Sequence, residues 1–213
     1  MTACAMPREA ERLNAEETLL RAAGLSGRLA GPVDFSLDAG ECLAITGRSG
    51  AGKTLLLRMV ADLDPHRGEA WLRGAARSAM PAPVWRRQVV YSAAESGWWA
   101  PRVGAHFPSP PGPERLARFG LRDDILEASV AACSTGERQR LALLRALALT
   151  PAVLLLDEPT GALDRESVAR VEAVLRDYLV AGGAMLLVTH DSGQAERLGT
   201  LQCRLHEGAL RPA

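Results

Sequence analysis

The residues best equipped for chemistry begin with Gly47-Arg48-Ser49-Gly50-Ala51-Gly52-Lys53-Thr54, which has the form G-x-x-x-x-G-K-[ST]. The apolar run Leu43-Ala44-Ile45 leads into it and Leu55-Leu56-Leu57 leaves it. The sequence therefore predicts strand, loop and helix in that order, which is the context a phosphate-binding P-loop needs. Glycines in such a loop let backbone N–H groups turn inward on phosphate oxygens, and the helix N-terminus adds its partial positive charge. Lys53 is placed to reach the β- and γ-phosphates, and the Thr54 hydroxyl to ligate Mg2+. Among the 25 lysines and arginines Lys53 is the only lysine. A compact, mobile ammonium is kept where a planar guanidinium fork does not substitute. The loop is read as a nucleoside triphosphate site.

Two further stretches end in polar residues after an apolar run. In Val153-Leu154-Leu155-Leu156-Asp157-Glu158, a Walker B pattern, the strand is expected to be buried and its C-terminal end to present groups to a ligand. Asp157 would hold Mg2+, directly or through water, and Glu158 would polarise an attacking water. Val188-Thr189-His190-Asp191 ends a second strand, and His190 there can contact a γ-phosphate as a neutral donor or as a cation. Taken singly, the acids fit a solvated turn and the histidine an ordinary surface position. Their order after the P-loop favours the chemical reading.

Ahead of the acidic strand end lies Cys133-Ser134-Thr135-Gly136-Glu137-Arg138-Gln139-Arg140. It resembles the L-S-G-G-[QE]-x-Q-R signature of ATP-binding cassette (ABC) ATPases. Pro159-Thr160-Gly161-Ala162-Leu163-Asp164 is similar to that family's P-T-S-A-L-D element. With P-loop, signature, Walker B and switch histidine in the family's order, the resemblance covers essentially residues 19–208. It implies that two cassettes dimerise head to tail, with each ATP between the P-loop of one and the signature of the other. Ser134, Gly136 and Glu137 would then bind nucleotide across the interface, and Asp164 would tie the two sites together. Lys53, Glu158 and His190 would carry the hydrolysis of MgATP.

The chain departs from the family pattern at several places. Thr135 stands where the first signature glycine is usual and Cys133 where leucine is usual. Ala94 takes the place of the Q-loop glutamine, with Glu95 next, so Glu95 is expected as a metal-sensing ligand or coupling residue. The aromatic residue expected to stack on adenine near residues 22–26 is absent, and Leu25 is the nearest large side chain.

The elements that must position these residues point to an α/β fold. The resemblance implies a P-loop NTPase (RecA-like) core with a mostly parallel sheet, an antiparallel β subdomain at the N-terminal end and a small α-helical subdomain. Residues 1–17 read as a polar leader and 18–211 as one nucleotide-binding domain, its helical part at about 95–150. Val33, Phe35 and Leu37 alternate as in a half-buried strand, whereas 153–157 and 184–188 are continuous apolar runs. Pro81-Ala82-Pro83 interrupts the chain and Pro108–Pro113 is an extended connector. Glu114–Phe119, Asp123–Ala128, 136–148 and Glu166–Val180 are predicted helices, with Asp164 an N-cap.

A content of 47% hydrophobic residues suits a covered parallel sheet, and a formal net charge of zero gives no electrostatic reason to expect a nucleic-acid partner. Cys4, Cys42, Cys133 and Cys203 are scattered without C-x-x-C spacing, so reduced thiols in a cytosolic protein are the simpler reading. No apolar run reaches the ~18–20 residues that span a bilayer. A membrane role would come through a separate polytopic subunit, with this chain cytoplasmic and peripheral on the inner face of the membrane. Trp98-Trp99 falls in the segment that, in transporter cassettes, receives the membrane subunit, although one of two adjacent tryptophans is often core. The resemblance is to a transporter ATPase, in its finer detail to small bacterial cassettes linked to iron or metal export. A soluble cassette acting on a protein assembly, and a nucleotide-gated module with little turnover, remain open alternatives.

Overall fold

The computed structural model describes residues 18–213; the leader expected over residues 1–17 and Cys4 lie outside the described residues. Along the chain run β1 (Thr18–Ser26), β2 (Val33–Asp38), β3 (Cys42–Thr46), α1 (Lys53–Val60), β4 (Arg67–Leu72), β5 (Ala75–Ala76), α2 (Ala82–Gln88) and β6 (Val89–Ser92). They are followed by α3 (Pro113–Arg118), α4 (Thr135–Ala148), β7 (Val153–Asp157), α5 (Arg165–Val180), β8 (Ala184–Val188), α6 (Ser192–Leu198), β9 (Leu201–His206) and β10 (Ala209–Pro212).

Two strand patterns give two sheets. The first, in the order β2-β1-β4-β5, is antiparallel throughout. In β2 the side chains of Val33, Phe35 and Leu37 are buried while Asp34 is exposed, as a period of two requires. The second sheet runs β10-β9-β3-β8-β7-β6 and is parallel except for the edge pair β10-β9. Its central strands β7 and β8 are buried at every position, because helices cover both faces.

Successive residues of those strands feed two different cores. Val153 and Leu155 of β7, with Leu186 and Val188 of β8, pack with Leu56 and Leu57 of α1 and with the antiparallel sheet. Leu154, Leu156, Met185 and Leu187 pack on the other side against Leu141 and Leu144 of α4 and Val171 and Leu175 of α5. Parallel register then aligns the strand ends: Ile45 pairs with Val188, and Val188 pairs with Asp157. Whatever follows these residues emerges at one end of the sheet.

The structure corrects two local expectations. Asp123–Ala128 is not a helix; it contains only a single 3-10 turn, Ile125–Glu127, followed by another at Val130–Ala132. A bridge between Arg102 and Ser129 and the bond from Val103 N–H to the Ala128 carbonyl (3.1 Å) hold this stretch against the chain before it, so its backbone groups are satisfied without helical bonds. Pro83 does not interrupt the chain but sits in the first turn of α2, where a missing N–H costs nothing. Trp85 lies in the core: it is 0% exposed and its indole N–H donates to the Val60 carbonyl at 2.9 Å.

Trp99, by contrast, is 71% exposed. Trp85→Ala therefore lowers unfolding free energy by about 3–5 kcal/mol, and Trp99→Ala by less than about 1 kcal/mol. Denaturant titration of the two variants measures the contrast, and equal losses would contradict it.

Candidate functional site

The chain leaves β3 at Thr46 and turns through Gly47–Gly52 before α1 starts at Lys53. Two glycines make that turn possible. Gly47 has φ +146° and Gly52 φ +96°, and a Cβ would lie 2.6 Å from the Leu205 carbonyl oxygen at the first and 2.8 Å from that of Leu29 at the second. No side chain fits at either place. Gly52 is also the N-cap of α1 and offers no side-chain cap, which leaves first-turn N–H groups for an anion.

A cavity of about 280 Å3 opens over the loop, walled by Ser49, Lys53, Thr54, Asp157, Glu158 and His190. Lys53 is only 6% exposed. Its ammonium donates to the carbonyls of Gly47 (2.8 Å) and Arg48 (3.1 Å) and lies 3.4 Å from His190 Nε2. Burial draws its pKa down, while the carboxylates of Glu158 and Asp157 push it back up. The loop thus aims one cation, held among carbonyls, into a cavity whose other wall is acidic.

That wall is built by the end of β7. The Oδ2 of Asp157 accepts the hydroxyls of Thr54 (2.8 Å) and Tyr91 (3.1 Å). Burial, and then the negative charge of Asp157, raise the Tyr91 hydroxyl well above the usual phenol range, so it stays a donor. A hydroxyl and a carboxylate side by side are hard oxygen donors of the kind Mg2+ takes, so Thr54 and Asp157 fit that ion. Among the described residues no three His, Cys, Asp or Glu are grouped to hold a metal alone. The remaining ligands would be phosphate oxygens and water, as is usual for Mg2+.

Glu158 follows in the left-handed region, φ +49°, which is uncommon for a residue with a Cβ. Its backbone N–H donates to the Val188 carbonyl (2.9 Å), which carries the register of β7 and β8 one step past the strand end. Its Oε2 accepts the His190 backbone N–H at 3.2 Å, while the buried Oε1 lies 3.4 Å from His190 Nε2 without making a hydrogen bond. An under-satisfied carboxylate oxygen beside a phosphate-sized cavity can take a proton from water.

The signature residues are not part of this cavity. Ser134 is the N-cap of α4: its hydroxyl oxygen accepts the Glu137 N–H (3.1 Å), and Glu137 accepts the Ser134 N–H (2.8 Å) in return. Gly136 packs against the turn after Glu158, with a Cβ position 3.3 Å from the Ala162 carbonyl oxygen. Asp164 caps α5 by accepting the Ser167 N–H at 2.8 Å. Cys133 is buried in the second core, and the Thr135 hydroxyl accepts from Arg138 (3.3 Å).

One expectation fails in part on placement. Glu95 is exposed and does not line the cavity, whereas Ala94 does, so Glu95 is not placed there as a metal ligand. Leu25 is buried in the core, and it is Leu29, 56% exposed, that reaches the cavity. Sequence reasoning also missed Tyr91, read only as a core strand residue, and Gln139. A phenol at the end of a strand beside the acidic one was the available signal for Tyr91; nothing short of the loop's path showed where Gln139 points.

The family described as ABC transporter matches residues 30–161 of the chain. The chain is 37% identical over 197 residues to the probable iron export ATP-binding protein FetA of Escherichia coli (strain K12), covering 85% of this chain and 87% of that protein. It is 36% identical over 195 residues to the aliphatic sulfonates import ATP-binding protein SsuB of Pseudomonas entomophila (strain L48), covering 84% and 67% respectively. A solved ATP-binding subunit of an ABC transporter superposes with a TM-score of 0.80 at 26% identity, covering 91% of this chain and 88% of its own.

From the geometry of the acidic wall, Glu158→Gln lowers phosphate release from MgATP about a hundredfold or more while nucleotide binding persists. A steady-state phosphate assay beside an equilibrium binding titration measures both, and unchanged release would remove Glu158 from the chemistry.

Proposed function

The chain belongs to the ABC transporter family and is an ATPase of that kind; on this premise we propose that two copies close head to tail around MgATP and drive a separate polytopic membrane subunit from the inner face of the cell membrane. The observation that carries the reading is the division of anion-binding features within one chain. The P-loop, Asp157, Glu158 and His190 share a cavity, whereas Ser134 and the exposed start of α4 stand outside it. A helix N-terminus of this kind favours an anion, and only a second copy's nucleotide would bring one to it. Ser134, whose oxygen is occupied as an acceptor, keeps its O–H to donate to a phosphate oxygen.

In that assembly Lys53 neutralises the β- and γ-phosphates, and Leu29 gives the base an apolar surface in place of an aromatic one. Mg2+, held by Thr54 and Asp157, supplies further charge neutralisation on the phosphates when bound. Glu158 takes the proton of the attacking water. His190, placed between Lys53 and Glu158, contacts the γ-phosphate, and Asp164 lies toward the opposite copy. Loss of the γ-phosphate then releases both halves.

The membrane partner is supported by a second feature. The Arg145 guanidinium lies 4.8 Å from the ring of Trp98 and 4.9 Å from that of Trp99, beside a groove of about 330 Å3 that includes Leu149. Trp99 is exposed while Trp98 and Arg145 are half-buried beside it, and Trp and Arg are favoured as interface anchors. The strand end Tyr91–Ala93 borders this groove while Ala94 borders the nucleotide cavity, so one stretch of backbone touches both. The likeness to FetA favours metal export as the work done, and the likeness to SsuB leaves the direction of transport to the membrane subunit. Ala94 in place of a glutamine favours the alternative of a nucleotide-gated module with little turnover, which Glu158-dependent hydrolysis would exclude.

Tagged chain taken from solubilised membranes is expected to carry a polytopic membrane protein in stoichiometric amount, and Trp99→Ala combined with Arg145→Ala to lose it. Recovery with soluble partners only, or retention by the double variant, would contradict the transporter reading or the groove respectively.

A further inference from the structure

The turn that follows Glu158 is held by a side chain from the signature helix. The Gln139 amide N–H donates to the Glu158 carbonyl at 2.7 Å, and its amide oxygen accepts the Ala162 N–H at 3.0 Å. Both partners are backbone groups of fixed polarity, so the orientation of the amide is determined by them. One half-buried side chain therefore clamps both ends of the turn 158–162. The clamp is tight, because the Cβ position of Gly136, one turn earlier in α4, lies 3.3 Å from both the Ala162 carbonyl oxygen and Leu163 Cδ2. On the far side Gln194 is fully buried and donates to the Thr160 hydroxyl at 2.8 Å. The turn is gripped between α4 and α6.

Glu158 needs such support. It sits at φ +49°, and backbone in that region persists only where its surroundings impose it. From the strand side the Val188 carbonyl accepts its N–H, and from the helix side the Gln139 amide N–H donates to its carbonyl. A shift of α4 along its axis is thus passed to the peptide that orients the Glu158 carboxylate. The exposed end of that same helix is Ser134.

We propose that Gln139 is a positioning residue that couples whatever occupies the Ser134 end of α4 to the geometry of the chain's own Glu158. The inference rests on the reading of Glu158 as the base that takes the water proton. In the dimer it links the two ATP sites through each chain: nucleotide on the partner's P-loop, seated at Ser134, sets the base that serves this chain's own nucleotide. The device is a route for cooperativity between the sites, built from one amide and one turn of helix.

The test compares Gln139→Met, which keeps volume and removes the amide, with Gln139→Glu, which keeps the acceptor for Ala162 and sets a carboxylate oxygen against the Glu158 carbonyl. Steady-state hydrolysis is measured in the full chain, in the wild-type and Glu158→Gln backgrounds. Both substitutions are expected to lower kcat about tenfold to a hundredfold, with the KM for MgATP within about twofold and a Hill coefficient moved toward one. In the Glu158→Gln background Gln139→Met adds no further loss, because no base is left to orient. An equal fractional loss in both backgrounds, or a Gln139→Met kcat at the wild-type level, would overturn the role of Gln139. Full activity of Glu158→Gln alone would instead overturn the reading of Glu158 on which the role depends.

Discussion

Parallel pairing of β3, β8 and β7 places Ile45, Val188 and Asp157 in one row, so that everything polar after those residues has to emerge together. The P-loop, His190 and Glu158 are neighbours for that reason and no other; their separation in sequence is irrelevant once the register is set. A slip of one residue in any of these strands would exchange the two cores and turn the acidic end of β7 away from Lys53. The register is in turn secured by the alternate burial of β7 and β8 residues against α1 on one face and α4 and α5 on the other.

The polar site is economical in charge. One buried ammonium faces two carboxylates, and a histidine lies between the ammonium and the second carboxylate. The hydroxyls of Thr54 and Tyr91 both point at one oxygen of Asp157, so that this carboxylate is oriented before any ligand arrives. Glu158 differs in kind: it is held through its backbone, by Val188 and Gln139, and its carboxylate is left under-satisfied. The two acids thus differ in which part of the residue the structure restrains, a difference that fits the proposed roles of Asp157 in binding and Glu158 in proton transfer.

Much of this was legible from residues alone, because the informative features were local. The glycine spacing at 47–54, the apolar runs ending in Asp157-Glu158 and in Thr189-His190, and the capping residue Asp164 each carry their physics within a few positions. Misreadings and omissions came where tertiary contact decides. Asp123–Ala128 has helix-forming residues, yet bonds from a neighbouring segment satisfy its backbone in another way. Leu25 and Leu29 are the same residue type on the same stretch, and only the path of the chain sends one to the core and the other to the cavity. Glu95 invited a metal role by adjacency, but after β6 it is Ala94 that borders the cavity while the acid lies outside its lining. Gln139 shows the reverse case: half-buried in a helix whose exposed end was recognised, it works through a loop that begins nineteen residues later in the chain, with the Glu158 carbonyl.

On the proposed reading the chain holds two complementary halves of an ATP site that it cannot join by itself. Sedimentation velocity of the Glu158→Gln protein, with and without MgATP, tests it most directly. The expected result is monomer without nucleotide and a dimer holding two ATP when MgATP is present. Protein that binds ATP yet stays monomeric at every concentration reached would contradict it.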